Sequence, residues 1–226
     1  MSAAPAPWRR LVPQGWRVRG FAVAAGVAAI GVVALAATWL ALPPLDLSAA
    51  ATRSAVVLDR EGRLLRPFLT ADGRWKLPVG VGDVDPRYLA MLKAYEDRRF
   101  DSHIGVDPLA MLRAAGQTAT SGRIRSGGST LTMQVARLLE PREERTLAAK
   151  LRQVARALEL EQRFAKSEIL DLYLRLAPFG GNLEGIRAAS FAYFGKEPKR
   201  LSTGEAALLV ALPQSPELRR PDRAPE

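Results

Sequence analysis

Cysteine is absent from the chain, and histidine occurs once, as His103. The first absence excludes thiol catalysis, disulfides and cysteine-ligated metals, and the second excludes a site built from several imidazoles. Neither fixes the compartment, because an exported protein need not carry disulfides. No internal repeat or low-complexity tract occurs, which excludes a solenoid. What is present is 226 residues, 48% of them hydrophobic, enough for one sizeable core plus a targeting segment. The formal net charge of +10 calls for an anionic partner: nucleic acid, an acidic membrane surface or a phosphorylated substrate.

Residues 20–42 carry no charged side chain, and Thr38 is their only hydroxyl. As a helix at about 1.5 Å per residue they would reach roughly 34 Å, enough for a hydrocarbon core of about 30 Å. Arg9, Arg10, Arg17 and Arg19 precede the run, whereas Pro43, Pro44 and Asp46 follow it. The expectation is an uncleaved single-pass anchor in the cytoplasmic (inner) membrane, with the following domain on the periplasmic or extracellular side. Ser48-Ala49-Ala50-Ala51 offers the alternative of a cleavage site. The organisation expected is a tail over 1–19, an anchor over 20–42, a linker over 43–53 and one domain over 54–226.

Beyond the linker, residues 54–65 read as a hairpin turning at Glu61-Gly62. Asp85-Pro86 and Asp107-Pro108 each set an N-cap before a proline suited to the first helical turn, and Ser202-Thr203-Gly204-Glu205 has capping-box spacing. Leu147, Leu151, Val154 and Leu158 recur at helical spacing over about 145–164, as do Ile169, Leu170, Tyr173 and Leu174 in the next helix. The domain is expected to be mainly α with a small β element.

Two segments carry the chemistry. Glu96-Asp97-Arg98-Arg99-Phe100-Asp101-Ser102-His103-Ile104-Gly105 sets carboxylates among cations, and Ser126-Gly127-Gly128-Ser129-Thr130-Leu131-Thr132-Met133-Gln134 packs glycines, hydroxyls and an amide into nine positions. The second composition suits a backbone-rich pocket for an anionic or polyoxygenated ligand. Joining two sugars needs a base for the acceptor hydroxyl and positive charge for the leaving group, which a carboxylate and cations supply.

These segments resemble the first two signatures of the peptidoglycan glycosyltransferases of family 51, the N-terminal part of class A penicillin-binding proteins. The strings matched are E-D-x-x-F-x-x-H-x-G and R-x-G-G-S-T-L-T-x-Q, the second beginning at Arg125, with Met133 where many members carry a first glutamine. The third signature falls on residues 145–153, where Lys150, Arg152 and Arg156 supply positive charge. The family's K-x-x-E glutamate is replaced there by Gln153. An amide cannot act as a general acid. Residues 168–174 resemble the fourth signature, with Arg175 in place of an asparagine, and residues 185–196, with Arg187 and Lys196, resemble the fifth. Residues 177–185 are similar to one branch of the family in which a glutamine at the position of Gln153 is also familiar.

The resemblance implies a lysozyme-like glycosyltransferase fold with a small β element and the N-terminal transmembrane helix, having a partly apolar jaw. It implies that Glu96 is the base for polymerisation of lipid II, with inversion at the donor anomeric carbon and release of undecaprenyl pyrophosphate. Asp97 and His103 would orient neighbours. Arg125, Gly128, Ser129, Thr130, Gln134, Lys150, Arg152, Gln153 and Arg187 would bind donor or acceptor. No cofactor is required by it, although a divalent cation, Mg or Mn, stimulates some members. Lipid II, the growing lipid-linked glycan, the cytoplasmic membrane and cell-wall synthesis proteins are the implied partners, and nucleic acid is not one. Transpeptidase signatures do not occur, so penicillin binding is not expected of these residues. Both a monofunctional enzyme and a truncated bifunctional one fit this reading. So does a lipid II-binding scaffold of little activity, the alternative that Gln153 suggests.

Overall fold

The structure, a computed structural model, describes residues 14–121, 128–141 and 146–221. It is mainly α with a small β component, as expected. Helix α1 (Gln14–Leu40) and the short α2 (Ser48–Ala51) precede an antiparallel pair, β1 (Val56–Leu58) and β2 (Leu64–Pro67). Val56 faces Pro67 and Leu58 faces Leu64, and Gly62 takes the positive φ of 78° that the turn demands. After β3 (Trp75–Lys76) come α3 (Pro86–Glu96), α4 (Pro108–Ser121), α5 (Leu131–Leu139), α6 (Leu147–Arg163) and α7 (Lys166–Leu176). β4 (Leu183–Glu184) pairs in parallel with β3, and α8 (Ile186–Phe194) and α9 (Thr203–Ala211) follow.

The expected helix starts are built by their side chains. Asp85 accepts from Arg87 N at 2.8 Å, Asp107 from Ala110 N at 2.9 Å, and Ser202 and Glu205 exchange the two bonds of a capping box. The core gathers Tyr88 and Leu92 from α3, Leu131, Met133 and Val135 from α5, Ile169, Tyr173 and Leu174 from α7, and Leu209 from α9. Helix α5 is packed between α6 and α7, and α3 lies against α9. The first turn of α5 and the last turn of α3 are therefore held by helices on several sides, which gives the chemistry a rigid base.

Three expectations are corrected. Among the described residues no helix is long and apolar enough to cross a membrane. This overturns the anchor expected over 20–42 and the single-pass placement in the cytoplasmic membrane that rested on it. The C-terminal part of α1 is applied to protein: Ala34, Leu35, Thr38 and Trp39, spaced along one face, are half-buried, and the helix meets α6. Leu147, expected on the buried stripe of α6, is 77% exposed. Arg156, expected to offer its charge to a ligand, is 1% exposed and pairs with Glu140 and Glu159, and it also donates to Pro43 O at 2.9 Å. The face of α6 toward the core thus begins about two turns later than its first apolar residue suggests, around Ala155, Ala157 and Leu160.

Gly105 closes the loop between α3 and α4 with φ of 97°, and a Cβ there would stand 2.7 Å from Ala157 O. Gly105→Ala is expected to destabilise the domain by about 2 kcal/mol, from the strained backbone and this overlap. Thermal or denaturant unfolding of the variant beside the natural chain measures it.

Candidate active site

Glu96 ends α3, and its half-buried carboxylate is gripped on both oxygens: Oε2 accepts from Gln134 Nε2 at 2.8 Å and Oε1 from Gln214 Nε2 at 3.0 Å. Both partners are neutral amides, which hold the carboxylate without an opposing charge. Tyr88 and Tyr173 are buried in the core below. Burial pushes both phenols up, and the negative charge of Glu96 pushes them further, so both stay neutral hydroxyls. The carboxylate therefore stands over a low-dielectric floor with its remaining lone pairs outward.

Asp97, next in sequence, faces the other way and is 6% exposed. Its Oδ2 accepts from the backbone N–H of Leu131, the first residue of α5, at 2.9 Å, and bonds His103 Nε2 at 2.8 Å. Gly105 N donates to His103 Nδ1 at 3.0 Å, so the proton of the ring sits on Nε2 and is donated to Asp97. Thr130 caps α5 by accepting from Met133 N, and its hydroxyl donates to Gly105 O at 2.6 Å. Asp97, His103 and Thr130 are thus joists that lock the Glu96 segment to the start of α5. All three side chains are buried or nearly so.

On the far side of that first turn lies a second cluster. Lys150 Nζ donates to Ser129 Oγ at 2.8 Å and to Gln153 Oε1 at 3.1 Å, and Gln153 Nε2 donates to Met133 O at 2.6 Å. Burial, and then the positive charge of Arg137, hold the Lys150 ammonium below the usual lysine range. A partly desolvated ammonium pressed by a second cation is relieved by an arriving anion. Ser129, itself exposed, marks where that anion has access.

Of the residues expected to form the site, Glu96 and Gln134 meet directly, and Ser129, Lys150 and Gln153 meet directly beside them. Gly128 packs against α4, where a Cβ would stand 3.4 Å from Ala114 Cβ. Arg152 turns to Glu140, at 3.3 Å. Arg187 is elsewhere. It is bonded to Glu197 and to Pro78 O, and it lines a cavity of about 620 Å³ with Arg53, Arg175 and Lys199 that shares no residue with the Glu96 group. Arg125 lies outside the described residues. Gln214 and Arg137 were missed. Arg137 had a readable signal, one helical turn after Gln134 on α5, whereas Gln214 reaches Glu96 from 118 residues away.

The chain matches the family model described as Transglycosylase over residues 61–226. It belongs to the transglycosylase family. This transglycosylase domain is a glycosyltransferase, and it is 57% identical over 171 residues to penicillin-binding protein 1C of Escherichia coli, covering 76% of this chain and 22% of that protein. It is 38% identical over 174 residues to penicillin-binding protein 1A of Aquifex aeolicus, with 77% and 24% covered. With penicillin-binding protein 1A of Pseudomonas aeruginosa the identity is 37% over 160 residues, with 71% and 19% covered. The transglycosylase thus spans about a fifth to a quarter of the length of these relatives.

Proposed function

We propose that the domain polymerises lipid II into glycan strands. The observation that carries this reading is the pairing of a carboxylate held by neutral amides with a partly desolvated cationic cluster across one helix turn. Glu96 removes the proton of the acceptor GlcNAc 4-hydroxyl, and that oxygen attacks the anomeric carbon of the lipid-linked MurNAc on the growing strand. The new glycosidic bond forms with inversion while the bond to the pyrophosphate oxygen breaks and leaves with its electron pair. Lys150 and Arg137 receive the charge that develops there, Ser129 adds a hydroxyl, and the proton on Glu96 is returned to water. No cofactor enters this scheme. The Lys150 cluster offers one hydroxyl and amide groups without a carboxylate, a poor cage for a divalent cation, so an Mg or Mn ion would arrive with the pyrophosphate of the substrate.

The undecaprenyl chains require apolar surface. Ile104, Leu109, Leu112 and Leu147 are 63–77% exposed and supply it. Replacing Leu109 and Leu112 together by serine is expected to raise KM for full-length lipid II about tenfold, while leaving a short-chain analogue unaffected. Steady-state rates on both substrates measure the difference.

The deciding experiment is incubation of the detergent-solubilised chain with labelled lipid II, read as glycan length on a gel. Polymer supports the reading. Binding of lipid II without turnover would replace it with the scaffold that Gln153 suggests, and shortening of preformed glycan would replace it with a lytic enzyme.

A further inference from the structure

Gln214 lies at the end of the single turn Leu212–Gln214 that follows α9, in a segment fixed at several points. Glu217 Oε1 accepts from Gly181 N at 2.6 Å, and the Arg220 side chain covers Gly180, where a Cβ would meet its Cδ at 2.6 Å. Arg219 donates to Ala211 O at 2.6 Å. The amide of Gln214 is itself oriented: its Oε1 accepts from Tyr95 Oη at 3.2 Å and from Arg219 at 3.4 Å, which leaves its NH₂ to face Glu96. Tyr95 precedes Glu96 in the chain, so the last turn of α3 both receives and supports the same amide.

We propose that residues 212–220 form a strap that positions the catalytic carboxylate, with Gln214 as its positioning residue. This rests on the assignment of Glu96 as the base. Gln134 alone fixes one carboxylate oxygen and leaves the side chain free to swing about that bond. The second amide stops the swing. Removing it costs Glu96 its aim and leaves substrate binding in place, a split that a purely structural residue would not produce. The plateau of the rate falls, and substrate affinity, set by the Lys150 side, stays where it was.

The test uses the whole chain with Gln214→Ala and with Tyr95→Phe, a variant at a side chain 53% exposed that keeps the ring. Lipid II polymerisation is followed as kcat and KM, and the Glu96 carboxyl is observed at one pH by carbon-13 NMR, its signal assigned by its loss in Glu96→Gln. For Gln214→Ala the Glu96 carboxyl signal is expected to move as its hydrogen bond is lost, with kcat reduced about tenfold and KM within twofold. Tyr95→Phe moves both the signal and kcat in the same direction by less. An unmoved carboxyl signal in both variants overturns the strap, as does a loss of activity that follows only a lowered melting temperature. The NMR readout does not need turnover, so it separates failure of this inference from failure of the proposed activity, which would appear as an inactive natural chain or an active Glu96→Gln.

Discussion

Glu96→Gln is expected to lower polymerisation by about a thousandfold, the loss of a general base from a proton-transfer step. Size is conserved, so the effect is chemical, but the geometry adds to it. Glu96 receives one amide N–H on each oxygen, from Gln134 and from Gln214. A glutamine in its place has one oxygen and one NH₂, so one of those donors would confront another donor. Gln214 cannot answer by turning over, because its own carbonyl oxygen is bonded to Tyr95 and Arg219. Glu96→Asp separates the two contributions: it keeps the charge but draws the carboxylate back by one methylene, and a loss of about a hundredfold is expected from misplacement alone. Initial rates of labelled lipid II consumption measure both, with melting temperatures as the control for folding. A Glu96→Gln enzyme within tenfold of the natural rate would remove this residue as the base.

Legibility followed the range of the interactions. The hairpin, the three capped helix starts and the apolar stripe of α7 depend on neighbours within a few residues, and they appear where the local chemistry puts them. The Glu96–Gln134 contact was reachable because both residues belong to recognisable segments. Gln214 belongs to no such segment, and only the packing of α9 on α3 brings it back. Charge was the least legible property. Arg152, Arg156 and Arg187 read as ligand-facing cations, yet Glu140 from outside α6 occupies the first two, Glu159 one turn along α6 also holds Arg156, and Glu197 occupies Arg187. An arginine whose stem crosses apolar ground can bury its head when a carboxylate is waiting, and the sequence positions of Glu140 and Glu197 carry no periodic signal. The same limit applies to α1. Apolar composition alone did not disclose that one face of its C-terminal part is covered by α6.

Gln153→Glu restores the acidic residue of the family's third signature, and on the motif alone it should help. The local geometry leads to the opposite expectation, a fall of about a hundredfold in kcat/KM. Gln153 uses both ends of its amide: the oxygen accepts from Lys150 and the nitrogen donates to Met133 O at 2.6 Å. A carboxylate keeps the first contact and turns the second into two opposed acceptors, the Met133 carbonyl retaining only its bond within the helix, at a cost of about 1–3 kcal/mol. It also neutralises the ammonium that the leaving pyrophosphate needs, in a pocket where burial and Arg137 already press on that charge. Both effects act on donor and leaving group, so the variant should bind inorganic pyrophosphate more weakly while the hydrogen bonds to Glu96 are kept. Calorimetric titration with pyrophosphate and polymerisation rates check this together. A rise in activity would mean that the amide is an impairment. The expected fall would mean that Gln153 and the Met133 backbone form a neutral clamp, and that this transglycosylase stabilises its leaving group with a lysine left unpaired by any carboxylate in that clamp.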